Sequence, residues 1–316
     1  MTSENEGTVG AWRTVVTGAE TDLGRRVAVA LAKRGSTIDL LCADETGAAG
    51  AVSVLSAVAP EALGQVEVAD PADLSAMVAA CARLAVNPIS ALVHAGVYAT
   101  AQPRGDALGL PWLTTVNVIA PYVTTRALAP SLLRIPDYIR DRPAVLSGGY
   151  PRPPYGRVIF LSPPYLGPRV NVGDLRTGGD IMRFSYVTYR ARTLLAVELA
   201  RRSERLSIRT VMLLGGVQPA PGASSRQVAS YRWGQRGGRH LWTRWFLGAP
   251  LVDEVSRTAA YLATAERVPG DAGRWCARSP RKWRKLHKGA LDPSPARDVW
   301  SFCEELSAPV SLPGGL

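Results

Sequence analysis

The residues able to do chemistry in this chain gather in Ser185-Tyr186-Val187-Thr188-Tyr189-Arg190-Ala191-Arg192. A Tyr and a base four positions apart share one face of a helix, one turn from each other. A cation held beside a phenol favours the phenolate and lowers its pKa, so Tyr186 with Arg190 could act as general acid or base. Arg190 could equally bind a substrate carboxylate through its planar fork of donors. Tyr189 reads first as a packing aromatic. A second candidate is the turn Thr17-Gly18-Ala19-Glu20-Thr21-Asp22-Leu23-Gly24. Glycines between a strand and a helix let backbone N–H groups approach a phosphate at the positive helix end. Two readings stand for this turn: a cofactor cradle around Gly18, Asp22 and Gly24, or a structural turn with Asp22 as N-cap. A carboxylate at Asp22 repels an anionic cofactor unless it turns away. His94 is either a proton carrier or a strand-end histidine satisfied by backbone groups.

The elements that must position these groups follow from hydrophobic periodicity. Strands are expected over 12–17, 37–42, 65–69, 90–94, 157–162 and 207–214. Helices are expected over 23–33, 50–58, 71–84, 112–133, 185–202 and 252–263. Such alternation predicts an α/β fold, a parallel sheet doubly wound by right-handed crossovers. Two stretches rich in Pro and Gly, 135–156 and 163–184, read as loop insertions, and long loops of this kind often serve as lids. Residues 1–10 are polar and read as a flexible N-terminus. No internal repeat or boundary divides the chain, so a single Rossmann-type domain over 1–316 is expected.

Composition narrows the function classes. With 47% hydrophobic residues among 316, the chain can bury a large core. It contains no apolar run long enough to span a membrane, and its polar start lacks the features of a secretory signal. A cytoplasmic protein is expected. Cys42, Cys81, Cys276 and Cys303 are far apart and suggest neither a metal nor a disulfide framework. A net charge of +11 would raise nucleic acid as a partner. The excess is nearly all Arg in an Ala-, Gly- and Pro-rich chain, which looks like GC-rich bacterial coding, so no nucleic acid is expected. The basic run 281–288 reads as a solvated surface segment, with an acidic or phosphate-bearing partner as the other reading.

These motifs resemble the short-chain dehydrogenases/reductases, most closely their retinol-dehydrogenase branch, over about residues 12 to 307. Gly18 and Gly24 match the family's Thr-Gly-x-x-x-Gly-x-Gly turn, with Asp22 at its middle Gly. The resemblance implies NAD or NADP as cofactor. Asp44, at the end of the second strand, would bind ribose hydroxyls, Asp70 would touch the adenine, and Ala95 and Gly96 match Asn-Asn-Ala-Gly. Ala43 stands where the retinol dehydrogenases carry Arg, which leaves Arg25 or Arg26 to meet a 2′-phosphate. Asn117 matches the family's structural and proton-relay Asn, and Tyr186 its catalytic Tyr, with Arg190 in place of Lys. Pro163 aligns with the Ser that orients the substrate oxygen, so Ser162 takes that role if the strand end shifts by one residue. Gly215-Gly216-Val217-Gln218-Pro219 replaces a Pro-Gly turn, and the aromatic, basic run 239–247 resembles a substrate-loop helix, here a helical lid over 220–249. The departures, at Asp22, Val93, Pro163, Arg190 and Gly215, fall on cofactor and catalytic positions.

Three functions remain open. The first is an atypical oxidoreductase for a hydrophobic, polycyclic or long-chain alcohol or ketone of specialised metabolism, with Tyr186 as acid–base. The second is a non-redox cyclase, dehydratase or isomerase in which Tyr186 and Arg190 supply proton transfer and oxyanion help. The third is a catalytically silent binding subunit. A hydrophobic small molecule is the expected partner, with self-association into a homo-oligomer as a further expectation.

Overall fold

The computed structural model describes residues 12–99, 105–135, 154–163, 170–214, 218–219, 252–268, 275–314 and 316. The expected lid over 220–249, the N-terminal stretch, the turn at 215–217 and all of 136–153 lie outside them.

Eight strands form one sheet. They are β1 (Trp12–Thr17), β2 (Ser36–Cys42), β3 (Leu63–Val68), β4 (Ala91–His94), β6 (Gly156–Ser162), β7 (Ile208–Leu214), β9 (Trp275–Ser279) and β10 (Lys282–Lys285). Their order is β10-β9-β7-β6-β4-β1-β2-β3. All neighbours are parallel except β9 and β10. A two-residue strand, β5 (Tyr98–Ala99), pairs with β8 (Gln218–Pro219) beyond the main sheet.

Alternate strand residues feed two cores, as the two-residue period of a strand requires. Val15, Leu92, Phe160 and Met212 face one side, covered by α3 (Leu74–Leu84), α4 (112–133), α6 (Ile181–Arg202) and α8 (Pro293–Ser307). Val16, Val93, Ile159 and Val211 face the other, covered by α1 (Asp22–Ala32), α2 (Glu45–Ser56) and α7 (Val252–Thr264). Burial of each large apolar side chain contributes about 1.5–3 kcal/mol. The helices begin where capping side chains sit: Thr21 accepts from Gly24, Asp44 from Gly47, Asp73 from Ala76 and Asp292 from Ser294. Each cap is worth about 1 kcal/mol. Asp22 is the first helical residue and Thr21 is the cap, which corrects the expected N-cap.

Helix α4 begins at Trp112–Thr114, widens to π geometry over Thr115–Ile119 and continues through Ala120–Leu133. Within the expected loop 163–184 lie a short helix, α5 (Val172–Thr177), and the first turn of α6. The basic run at 281–288 is partly an edge strand whose Lys282, Arg284 and Lys285 are exposed. Charges on a free edge discourage pairing with another chain.

The strand order reverses between β1 and β4. In open α/β sheets such a reversal opens a crevice at the carboxyl ends of the strands, where ligands bind. The candidate residues lie around that edge.

Candidate functional site

The glycine turn after β1 is tightly made. Gly18 has φ +67°, a left-handed conformation suited to glycine. A Cβ on Gly18 would overlap the backbone of Gly96, and one on Gly24 would overlap the Gly18 carbonyl. Gly18 N–H donates to Leu41 O at 3.0 Å, and Thr21 N–H to Gly18 O at 3.1 Å. Ala95 and Gly96 N–H both donate to Thr17 O at 3.2 Å, which seats the end of β4 against the turn. Internal packing therefore accounts for each of these glycines. Asp22 turns away: its half-exposed carboxylate meets Arg26 at 3.2 Å, and Arg26 continues to Asp253 at 2.7 Å.

The crevice itself is occupied by the chain. The Tyr98 hydroxyl donates to the Glu20 carboxylate at 2.5 Å, and Ala43 N–H donates to its other oxygen at 3.3 Å. Tyr98 is buried, its ring lying over Gly96 and tilted against Trp112 at 5.8 Å. Its backbone is held too. Asn117 accepts from Tyr98 N–H and donates to Tyr98 O, both at 2.9 Å, and the Tyr189 hydroxyl donates to the same carbonyl at 3.3 Å. Burial raises the Glu20 carboxyl pKa, against the lowering effect of the Tyr98 bond. Burial, then the Glu20 charge, pushes the Tyr98 phenol well above its usual value, so it remains the donor. A cavity among the described residues, lined by Gly18, Leu41, Ala43, Ala69, Gly96 and Tyr98, is about 30 Å³. That is room for a water, where small-molecule and cofactor sites run to roughly 300–1,000 Å³. A dinucleotide does not fit these residues as arranged. The other two acids assigned to it are engaged locally: Asp44 caps α2 through Gly47 N–H at 2.7 Å, and exposed Asp70 accepts from Ala72 N–H at 2.8 Å.

Across the crevice, the end of β6 meets α6. Ser162 is fully buried, its hydroxyl 3.4 Å from Tyr189 O and 3.3 Å from Thr193 Oγ1. Asn117 lies in the π segment, where its amide also reaches Thr188 Oγ1 at 3.3 Å. Tyr186 is 43% exposed, its ring edge-on to Tyr189 at 6.2 Å. Arg190 is largely buried, with Nη2 beside the turn His287–Gly289. The structure thus gathers Asn117, Ser162, Tyr189 and Tyr98 into one hydrogen-bonded group and leaves Tyr186 at its outer rim.

Arg192, two positions beyond Arg190, was not singled out by sequence. It is fully buried and donates to Leu161 O at 3.0 Å, Asn117 O at 3.1 Å and His94 O at 2.9 Å. Burial pushes its pKa down to about 9. The available signal was an Arg on the stripe Thr188-Arg192-Leu195-Leu199, which carries no other charge. Glu20 and Tyr98 were also missed, because nothing local joins residues so far apart in sequence. His94 bonds through Nε2 to Thr125 Oγ1 at 2.8 Å and packs on Phe160. The Thr125 proton goes to Pro121 O, so His94 is the donor to it. Its partner is thus a side chain, where backbone groups were expected. Burial, with the Arg192 charge, lowers its pKa well below 6.5, so the ring is neutral. Among the described residues there is no His, Cys, Asp or Glu cluster suited to a metal, and no helix long and apolar enough to cross a membrane.

No protein-family model matches the chain, and no curated protein matches it significantly. Solved structures do. An uncharacterized protein from Mycobacterium paratuberculosis aligns with TM-score 0.62 and 20% identity, over 99% of this chain and 100% of its own. A metagenomic short-chain oxidoreductase in complex with NADP aligns with TM-score 0.51 and 21% identity, over 86% and 99%. Levodione reductase aligns with TM-score 0.55 and 15% identity, over 82% and 93%. These neighbours single out no branch of the superfamily. Together with the strand order and the crevice geometry, they establish that the chain has the fold of the short-chain dehydrogenases/reductases.

Proposed function

We propose that the chain is an enzyme of the short-chain dehydrogenase/reductase type that acts on a hydrophobic alcohol or carbonyl compound. Tyr186 serves as its general acid–base and Arg190 as a cation for substrate or intermediate. The supporting observation is the exposure of Tyr186. Helix α6 starts at the carboxyl edge of the sheet, and Tyr186 is its open phenol, whereas Tyr98, Tyr189 and Ser162 are engaged in internal bonds. A positioned phenol of this kind contributes about 10²–10⁴-fold through proton transfer.

Two reaction classes use such a group. A dehydrogenase or reductase of this fold takes its hydride chemistry from a nicotinamide, and the metagenomic neighbour is an NADP complex. A cyclase, dehydratase or isomerase needs proton transfer and charge stabilisation alone. The filled crevice favours the second class, because a dinucleotide would have to displace the Glu20–Tyr98 pair. The test is incubation of the purified protein with a panel of polycyclic ketones and phenols, with and without NADPH, read by mass spectrometry. The expected product has unchanged mass or has lost water, and Tyr186→Phe slows its formation by roughly a hundredfold. A product that gains or loses two hydrogens only when NADPH or its oxidised form is supplied restores hydride transfer. Equal turnover by Tyr186→Phe removes Tyr186 from the mechanism.

A further inference from the structure

We propose that Glu20 and Tyr98 form an internal plug that holds the crevice between β1 and β4 closed to dinucleotides. The crevice lies where the strand order reverses, the general ligand position of an open α/β sheet. Its floor is bare: Gly18 and Gly96 bring no side chain, and the first turn of α1 opens beside it. Into this space the chain inserts its own anion. The Glu20 carboxylate takes the Ala43 N–H and the Tyr98 O–H, donors that an oxygen of a bound nucleotide would otherwise use.

Tyr98 supplies the bulk. Its ring lies on Gly96, and three bonds from Asn117 and Tyr189 fix its backbone, so clearing the crevice means rotating the side chain out of a packed site. Any pyrophosphate that entered would also face the Glu20 charge. Two side chains therefore close the crevice, while the backbone around it keeps the form of a binding turn. Closure of the crevice is independent of the role of Tyr186, which lies on the outer rim.

The experiment is calorimetric titration with NADPH and, separately, ADP. Probes are wild type, Glu20→Ser, and the double variant Glu20→Ser/Tyr98→Ala, each checked for fold by circular dichroism and melting. Wild type is expected to bind neither nucleotide up to about 1 mM, a free energy no stronger than roughly −4 kcal/mol. The double variant is expected to bind at least tenfold more tightly. Glu20→Ser, which keeps the Tyr98 packing and is the less disruptive change, is expected to gain affinity for ADP in the same direction. Micromolar NADPH binding by wild type overturns the plug and the preference for a non-redox reaction, but leaves the Tyr186 test untouched. A folded Glu20→Ser or double variant with no gain over wild type overturns the plug alone.

Discussion

The two halves of the carboxyl edge are closed by different means. At β1 and β4 the backbone retains the form of a ligand-binding turn, and two side chains, Glu20 and Tyr98, fill it. At β6 and α6 the polar groups are consumed by the architecture. Ser162 bonds to α6, and Arg192 holds three carbonyls from β4, β6 and α4. Removing the first closure changes what the chain binds. Removing the second removes donors that buried carbonyls need. Function can therefore drift at the first half through single substitutions, while the second half is tied to stability.

Arg192→Met tests that contrast most severely. It removes the charged donor to the carbonyls of Leu161, Asn117 and His94, and a hydrogen bond to a charged group is worth roughly 1.5–3 kcal/mol. Because removing the buried charge also relieves its desolvation, a net loss of about 3–5 kcal/mol in urea unfolding is expected. A loss below about 1 kcal/mol would erase the distinction between the two halves.

Acid sharpens the same contrast. The buried His94 is neutral, its pKa depressed below the unfolded 6.5. Between those two values the unfolded chain binds the extra proton, so stability falls as pH drops from 7 toward 5. The slope reaches at most about 1.4 kcal/mol per pH unit. Glu20 and Asp39, raised by burial, slope the opposite way, gaining stability as pH falls through their raised values toward the unfolded ones. Comparing wild type with His94→Gln cancels both, so the variant's unfolding free energy should lose less between pH 7 and 5. Parallel pH profiles would mean that the folded ring takes up its proton over the same pH range as the unfolded one.

The smallest effect is expected at Asp22. Its exposed pair with Arg26 is worth no more than about 1 kcal/mol. Because the carboxylate points away from the crevice, Asp22→Gly alone should not create NADPH binding in the same titration. If it does, the charge at the middle of the turn governs binding, and Glu20 does not.

Much of the fold was legible in the sequence because it rests on local rules. Alternating apolar strands such as Val15-Val16 and Ile159-Phe160 declared a sheet buried on both faces. The cap at Asp44 went unread, because the residue was assigned to ribose hydroxyls and the helix was expected only over 50–58. Gly18 was singled out correctly as a turn glycine, although its demand comes from Gly96, far away in sequence. What could not be read was pairing at a distance. Attention went to Asp22, which matched a motif position, while Glu20, two residues earlier, found Tyr98 across the crevice. Likewise Arg190 drew notice through its spacing from Tyr186, and Arg192 did not, because its partners are carbonyls that any residue type could supply. The edge strand at Lys282–Lys285 escaped because exposed lysines read as loop until a neighbouring strand is known.

Cys42, Cys81, Cys276 and Cys303 are all buried and free. Burial pushes Cys42 and Cys81 up to about 12 and raises the other two thiols as well. Since the thiolate is the reactive form, a thiol reagent meets four silent sites while the chain stays folded. They lie on β2, α3, β9 and α8, spread across both faces and out toward one edge of the sheet. Each thus acts as a stopwatch for the opening of its own neighbourhood, and the order in which they become labelled traces the sequence in which the molecule comes apart.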